Sequence, residues 1–467
     1  MNLFILKTAA VVCSAYFLSS GLATAAVTAD EAKALGSTLT KFGAEAGASS
    51  DGSIPAYAGG LTKPPAQADH YADPFADDKP LYSIDAKNAD KYQAVLTEGD
   101  KALLAKFPTY RLDVYPTRRS VAYSAWFLEN TQKNATTATL GGAVEGDNLK
   151  GAASDGLPFA GVPFPIPKNG YEVMWNFKEG FGPVVTEERV KAFQVDSAGK
   201  IALLPDVDAY VLRPWAEHSG KMRQSTFNAT YGASSKLIAP PSSAGTVFLT
   251  YYLPEVEGGD GGQKVWFYTP GQRRVRAAPE FGYDTPIASF GGSLFWDDVD
   301  GFRGRLDRFD FKLVGKKEMI VPYNVYGVTN TMLTKDAVGP QHINPAAVRM
   351  EKRRVWVIEA TRKEGARHAY SRRTFYVEED CWCIVAHDTY DNAGKLWRVG
   401  RVFTFPTYDV GGTNGNSWVW YDLIKGSYVV SAIGASDPGQ YIRGHASGDG
   451  LPGMALTPQA VAAGSER

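Results

Sequence analysis

The chain has 467 residues, 44% hydrophobic and 21% charged, with a formal net charge of −1. That length can bury a large core, as two or three domains or as one large β-rich unit, and the near-neutral balance excludes the basic footprint of a nucleic-acid-binding protein. Aromatic residues at 12% point to much apolar surface to bury, in a core, an interface or a ligand cavity.

The first 26 residues read as a secretory leader. Lys7 gives a weak positive start, Thr8 to Leu22 is an apolar run of small residues, and Ala23-Thr24-Ala25 is an A-x-A site, so cleavage is expected after Ala25 or Ala26. Val12 before Cys13 argues against a lipoprotein box. No later apolar run is long enough to span a bilayer.

Thr28 to Lys41 carries Ala32, Leu35 and Leu39 at helical spacing. Residues 43–60 form an ordered-loop candidate, and Pro64 to Tyr82 continues extended. Ala86 to Phe107 reads as one or two helices ending at Pro108. Arg111 to Tyr123 is extended and basic, Ala125 to Ala135 is helical, and a proline-rich approach (Leu157 to Asn169) leads into a short helix at Tyr171 to Lys178. From Val184 strand signals dominate. Gly245 to Leu253 and Lys264 to Ala277 read as a hairpin around Glu257–Gly262. Asp307 to Val314 and Glu318 to Val325 read as another, over Gly315. Between them lies an insertion, Gly291 to Gly301. Ser417 to Ile433 supplies a last pair of strands, and the Gly-rich tail after Ala435 is expected to be poorly ordered.

The densest strand signal runs from Arg354 to Phe405. β-Branched and aromatic residues dominate it, broken by Glu378-Glu379-Asp380 and Asp391-Asn392-Ala393-Gly394, which predicts an antiparallel meander of about four strands. Trp356 and Ile358 lie on one face of the first strand, Val355 and Val357 on the other, so both faces are apolar. Cys381 and Cys383 share a face if both are on a strand. At roughly 6.5–7 Å apart they are at or beyond disulfide reach and read as two small buried hydrophobes.

Catalytic and metal signatures are weak. The six histidines form no His-x-His or His-x-x-x-His pair. His387 and Asp388, adjacent on a strand, point to opposite faces. Gly291-Gly-Ser-Leu-Phe lacks the last glycine of a nucleophile elbow, and Trp296 stands where a calcium loop starting there needs an acid. No metal or cofactor is expected. Arg274 and Arg276 share one strand face with Arg273 on the other, and Arg372 and Arg373 form a second basic pair. Both groups can hold lipid headgroups or pair with carboxylates.

Tyr268-Thr-Pro-Gly-Gln-Arg-Arg-Val-Arg-Ala-Ala278, Leu294-Phe-Trp-Asp-Asp-Val299, Phe309-Asp-Phe-Lys-Leu-Val-Gly-Lys-Lys317 and Tyr376-Val-Glu-Glu-Asp-Cys-Trp382 resemble outer-membrane lipoprotein-sorting (LolA/LolB-like) proteins. Asp51-Gly-Ser-Ile-Pro-Ala-Tyr57, Asp73-Pro-Phe-Ala-Asp77, Val114-Tyr-Pro-Thr-Arg-Arg119 and Pro163-Phe-Pro-Ile-Pro-Lys-Asn-Gly170 resemble, over nearly the whole mature chain, a secreted bacterial family numbered 1329 among the domains of unknown function. The resemblance implies a mainly β, α+β fold: a strongly curved, unclosed antiparallel β-barrel with covering helices. It also implies a periplasmic setting alongside envelope transport machinery, and it brings no catalytic residues. On that outline residues 27–180 are N-terminal helices and loops packing on the sheet, 181–435 the curved sheet and 436–467 the tail, in one integrated domain.

A curved sheet with an apolar concave side offers a cavity for acyl chains or polycyclic compounds, with about 0.8 kcal/mol gained per buried CH₂. The expected lining is Phe267, Phe309, Phe311, Trp356, Ile358, Phe375, Trp382, Trp397 and Phe403. The resulting expectation is a periplasmic binding or carrier protein for a hydrophobic small molecule or lipid, with membrane transport proteins as partners and no nucleic acid. The alternatives are an assembly module of an envelope complex and a hydrolase of lipidic or aromatic esters.

Overall fold

The computed structural model describes residues 27–61, 69–142, 144, 146–253, 262–278, 282, 284–451 and 456–464. The expected leader, Cys13 and residues 257–261 of the Glu257–Gly262 loop lie outside these. The strands in chain order are β1 (Tyr82–Ile84), β2 (Leu112–Tyr115), β3 (Thr139–Gly141), β4 (Asn148–Lys150), β5 (Val185–Val195), β6 (Ile201–Leu212), β7 (Tyr231–Ala239), β8 (Val247–Tyr252), β9 (Gln263–Thr269) and β10 (Arg274–Ala277). They continue with β11 (Phe309–Pro322), β12 (Met350–Arg362), β13 (Arg372–Glu378), β14 (Cys383–Tyr390), β15 (Leu396–Pro406), β16 (Thr413–Asp422), β17 (Ser427–Ile433) and β18 (Tyr441–His445). The helices are α1 (Ala29–Ala32), α2 (Glu98–Lys106), α3 (Ala125–Thr137), α4 (Gly170–Lys178), α5 (Lys221–Ser225), α6 (Thr334–Ala337) and α7 (Pro458–Gly464). None is long and apolar enough to cross a membrane.

Apart from the β3–β4 pair, the strands form one sheet. Its main path is β11-β12-β13-β14-β15-β16-β17-β5-β6-β7-β8-β9-β10, antiparallel throughout, with β2 joined to β12 by the one parallel pairing and β18 joined to β5. The two end strands of that path, β10 and β11, do not pair with each other. The sheet is therefore an unclosed barrel, and the chain from β10 to β11 crosses back over its face. Residues 284–308 of this crossing, the strap, pack on β6, β14, β15 and β16. One short segment reaches strands from both halves of the sheet, so the sheet must curl around it.

The concave face of β11–β16 is filled. Phe311, Ile358, Phe375 and Trp420 pack against Phe302 and Leu306 of the strap and against Val173, Met174 and Trp175 of α4. On the convex face Val399, Phe403, Val419 and Val430 pack against Leu103 and Leu104 of α2 and against Val325 and Ile343. The meander appears as expected in β12–β15, with Ile358 facing the concave core and Val355 and Val357 a separate cluster on the other face. His387 and Asp388 do point oppositely: the His387 Nδ1–H donates to Gly301 O at 2.9 Å, while Asp388 accepts from the Gly99 N–H at 3.0 Å.

Several expectations are corrected. Thr28 to Lys41 is helical only at Ala29–Ala32, where Thr28 and Glu31 form a capping box, and then turns at Gly36 (φ +82°). Lys264 to Ala277 is two strands, because Pro270 and Arg273 (φ +49°) make a turn. Asp307 to Val325 holds one strand, β11, instead of a hairpin, since the chain runs on through Gly315 with a bulge between Leu313 and Gly315 opposite β12. The tail contributes β18 and α7, whose packing involves Val461. The Glu378–Asp380 turn is buried. Arg353 donates to Glu378 at 2.7 Å and to Asp380 at 2.6 Å, and Arg119 from the N-terminal segment meets Asp380. This turn also places Cys381 before the strand, which brings its Cα to 5.1 Å from that of Cys383. The two are joined by a disulfide, where a strand spacing would have kept them apart.

The loop at 43–60 is ordered by contacts with distant parts of the chain: Tyr57 Oη–H donates to Val121 O at 2.8 Å and Arg354 to Gly47 O at 3.1 Å. Gly43 has φ +99°, and a Cβ there would overlap the Pro165 carbonyl oxygen. Gly43→Ala is expected to lower stability by more than the ~1–2 kcal/mol of the left-handed backbone alone, read by urea denaturation.

Candidate functional site: a cavity between sheet and strap

Strand alternation builds the site. Glu188, Val190 and Ala192 on β5 line one cavity, with Val207, Ala209 and Val211 on β6. Tyr231, Ala233, Ser235 and Leu237 on β7 and Phe248, Thr250 and Tyr252 on β8 continue the wall. Each set steps by two, as one face of a strand must. Asn416 and Trp418 of β16 and Ser431 of β17 close one side, and Ile287, Phe290, Trp296, Val299 and Asp300 of the strap form the roof. The volume is about 200 Å³. It exists because the inward residues of β5–β7 are small at Ala192, Ala209, Ala233 and Ser235, where the other half of the sheet presents Phe311, Ile358 and Phe375.

The strap is anchored unequally. Its second half is held by a buried ionic cluster. Arg373 donates to Asp297 at 2.8 and 3.0 Å and to Asp298 at 2.9 Å. Tyr370 donates to Asp298 at 2.9 Å, and His368 Nε2 lies 3.1 Å from Asp297. The Arg373 guanidinium first, then His368, hold the Asp297 carboxyl well below the usual range despite burial. Trp420 Nε1–H donates to Asp298 O at 3.2 Å and Lys178 to Gly304 O at 2.8 Å. The first half is held by Gln194 donating to Ser293 at 2.9 Å and by Phe290 packing on Trp418.

One end of the cavity is polar and buried. Glu188 is 4% exposed. Among the described residues its carboxylate accepts one hydrogen bond, from Asn416 Nδ2 at 3.5 Å. Asn416 in turn accepts from Arg213 at 3.1 Å, and Asp300 pairs with Arg303 at 3.2 Å. Burial pushes the Glu188 carboxyl up to about 8, and Asp300 adds to the rise. Burial also lowers Arg213 to about 10, with Arg303 beside it contributing. The other end is the mouth, where Val207, Phe248 and Phe290 are half-buried.

The nine residues expected to line a pocket are dispersed, and none lines this cavity. Phe309, Phe311, Ile358, Phe375 and Trp382 belong to the filled core, with Trp356 stacked on Trp382 at 6.1 Å. Phe403 is on the convex face. Trp397 stands edge-on to Tyr370 and donates to Asp422. Phe267 comes nearest, directly opposite Phe248 on the neighbouring strand. Large rings fill the space they face, so they mark the core; the cavity lies where the inward residues are small. The readable signal was the small-residue parity of Val207-Asp-Ala-Tyr-Val211 and Tyr231-Gly-Ala-Ser-Ser-Lys-Leu237. Nor is Arg373 open to a headgroup: it is fully buried, with both terminal nitrogens on Asp297 and Asp298. Arg372 pairs with Glu359. Arg274 and Arg276 are exposed on β10. Among the described residues no cluster of metal-ligating side chains occurs.

This is a mainly β protein with an unclosed sheet folded around its own crossing segment. The family model described as "Protein of unknown function (DUF1329)" matches residues 83–462, and the chain belongs to that family. It is 37% identical over 412 residues to an uncharacterized protein of Pseudomonas aeruginosa, covering 87% of this chain and 88% of that one. Among solved structures, a DUF1329 family protein from Desulfovibrio piger aligns with TM-score 0.41 and 16% identity, over 62% of this chain and 97% of that one. A domain from Vibrio parahaemolyticus described as outer membrane lipoprotein-sorting aligns with TM-score 0.41 and 12% identity, over 63% and 98%.

Proposed function

We propose that the protein is a periplasmic carrier for a hydrophobic ligand, working with envelope transport machinery. The observation that carries this reading is the cavity between the concave face of β5–β8 and the strap. A dry apolar cavity of about 150 Å³ is enough to bind benzene. One of about 200 Å³ therefore holds a ring or a short chain segment as it stands, and a longer lipid enters as the first half of the strap lifts. A nucleophile within reach of a histidine, which would favour the ester-hydrolase alternative, is not found among the described lining residues of this cavity.

The test is native extraction and mass spectrometry of the protein purified from its own periplasm. A stoichiometric lipid or polycyclic compound is expected. An empty protein that shows no thermal shift with a panel of hydrophobic ligands overturns the reading.

A further inference from the structure

We propose that the cavity takes a neutral amphiphile polar end first, and that Glu188 holds the ligand's hydroxyl or carbonyl oxygen at the buried end. The inference rests on the carrier reading and deepens it by naming the ligand class.

Register places Glu188 in a single cross-strand row. Glu188 lies opposite Ala209, Ala209 opposite Ser235, Ser235 opposite Phe248, Phe248 opposite Phe267, and Phe267 opposite Arg276. A ligand lying along this row meets a buried acid first, then two small residues, then the Phe248 ring at the mouth, with Phe267 and the exposed Arg276 beyond the cavity. A carboxyl group buried with one long hydrogen bond is expensive to keep in an apolar wall. A plain hydrocarbon chain leaves that cost in place. A ligand oxygen at hydrogen-bond distance removes it, and the desolvation of Glu188 has already occurred on folding. Arg276, in water at the other end of the row, gains little from an ion pair, so it is the weaker anchor.

The surroundings keep the acid neutral. Asp300 and Arg303 of the strap are paired with each other. Arg213, following β6, is engaged by Asn416, and Tyr231 of β7 presents a phenol that burial and Asp300 push well up. Asn416 of β16 is the direct partner of Glu188, and Lys191 of β5, also in the lining, is paired with Asp437 at 2.7 Å. A protonated Glu188 donates to a carbonyl or hydroxyl oxygen and repels neither. Above its titration, which burial raises to about 8, it loses the proton that a ketone needs.

The experiment follows tryptophan fluorescence, with Trp296 and Trp418 in the lining, on titration with 2-octanone, n-octane and octanoate. At pH 6.5 we expect 2-octanone to bind at least about ten-fold more tightly than octanoate, a difference of ~1.4 kcal/mol, and to weaken about as much at pH 9.5. Glu188→Gln, which offers an amide N–H donor in place of the acid's O–H, should retain the pH 6.5 affinity and lose the pH dependence. Glu188→Leu should still bind n-octane while binding 2-octanone about ten-fold more weakly than wild type. Octanoate binding tightest, or unchanged 2-octanone affinity in Glu188→Leu, overturns the proposal and leaves the carrier reading intact. No response to any of the three probes overturns both.

Discussion

Replacing Arg373 with alanine is expected to lower the free energy of unfolding by about 3–5 kcal/mol, because it strands buried carboxylates without their cation. Arg373 is fully buried and holds both Asp297 and Asp298. Its loss leaves His368 alone on the Asp297 carboxylate, and on that of Asp298 leaves Tyr370, the Phe295 N–H and the more distant Arg398, at 3.7 Å. The strap loses its root at the same stroke, so ligand affinity should fall with stability. Urea denaturation at neutral pH reads the first effect and probe titration the second. A triple variant, D297N/D298N/R373M, removes the charges together and should recover most of the loss, since an absent ion pair costs far less than a broken one. A small change in the single variant would mean that the cluster does not anchor the strap.

Ala209→Phe is expected to weaken ligand binding while the protein stays folded. Ala209 faces the cavity from the middle of β6, between Glu188 and Ser235 in the cross-strand row. A phenyl ring there occupies the volume a ligand needs, and an existing void receives it more easily than a packed core would. Affinity for hydrophobic probes should drop more than about ten-fold, equal to ~1.4 kcal/mol, while the unfolding free energy should change by no more than the ~1–3 kcal/mol of overpacking. The paired control is Phe375→Leu in the filled core. It should cost stability by leaving a void, with ligand affinity much less affected. If Ala209→Phe binds as before, the cavity is not the binding site.

The architecture was legible in the sequence where local signals are strong. Strands β12–β15 follow from alternating β-branched and aromatic residues broken by Glu378–Asp380 and Asp391–Gly394, and α3 and α4 from helical signals. The cavity was not legible, for a physical reason. Large aromatics announce burial, yet Phe311, Phe375 and Trp382 are buried against strap and helix, and a void is announced only by small residues at one parity, a fainter signal. Register hid the rest. Glu188 and Phe267 lie in the same row, but nothing local in the sequence aligns β5 with β9. The turn at Glu378–Asp380 was legible as a break between strands, but its burial was not, since the cations that make it tolerable include Arg119 and Lys316, far away in the sequence, beside Arg353 and Arg354.

The order of strands in the sheet has a kinetic consequence. β5–β10 is a run of neighbours in sequence, and so is β11–β17, so each half is assembled from local hairpins. The halves meet along one seam, β17 and β18 against β5, which joins distant parts of the chain and closes slowly, as non-local pairings do. The cavity straddles that seam, taking walls from β5–β8 on one side and β16–β17 on the other. It therefore exists only in the fully assembled molecule. A ligand at concentration [L] binds that state alone and stabilises it by RT ln(1 + [L]/Kd), so cargo present during assembly favours the closed seam over two half-built sheets with their apolar faces in water.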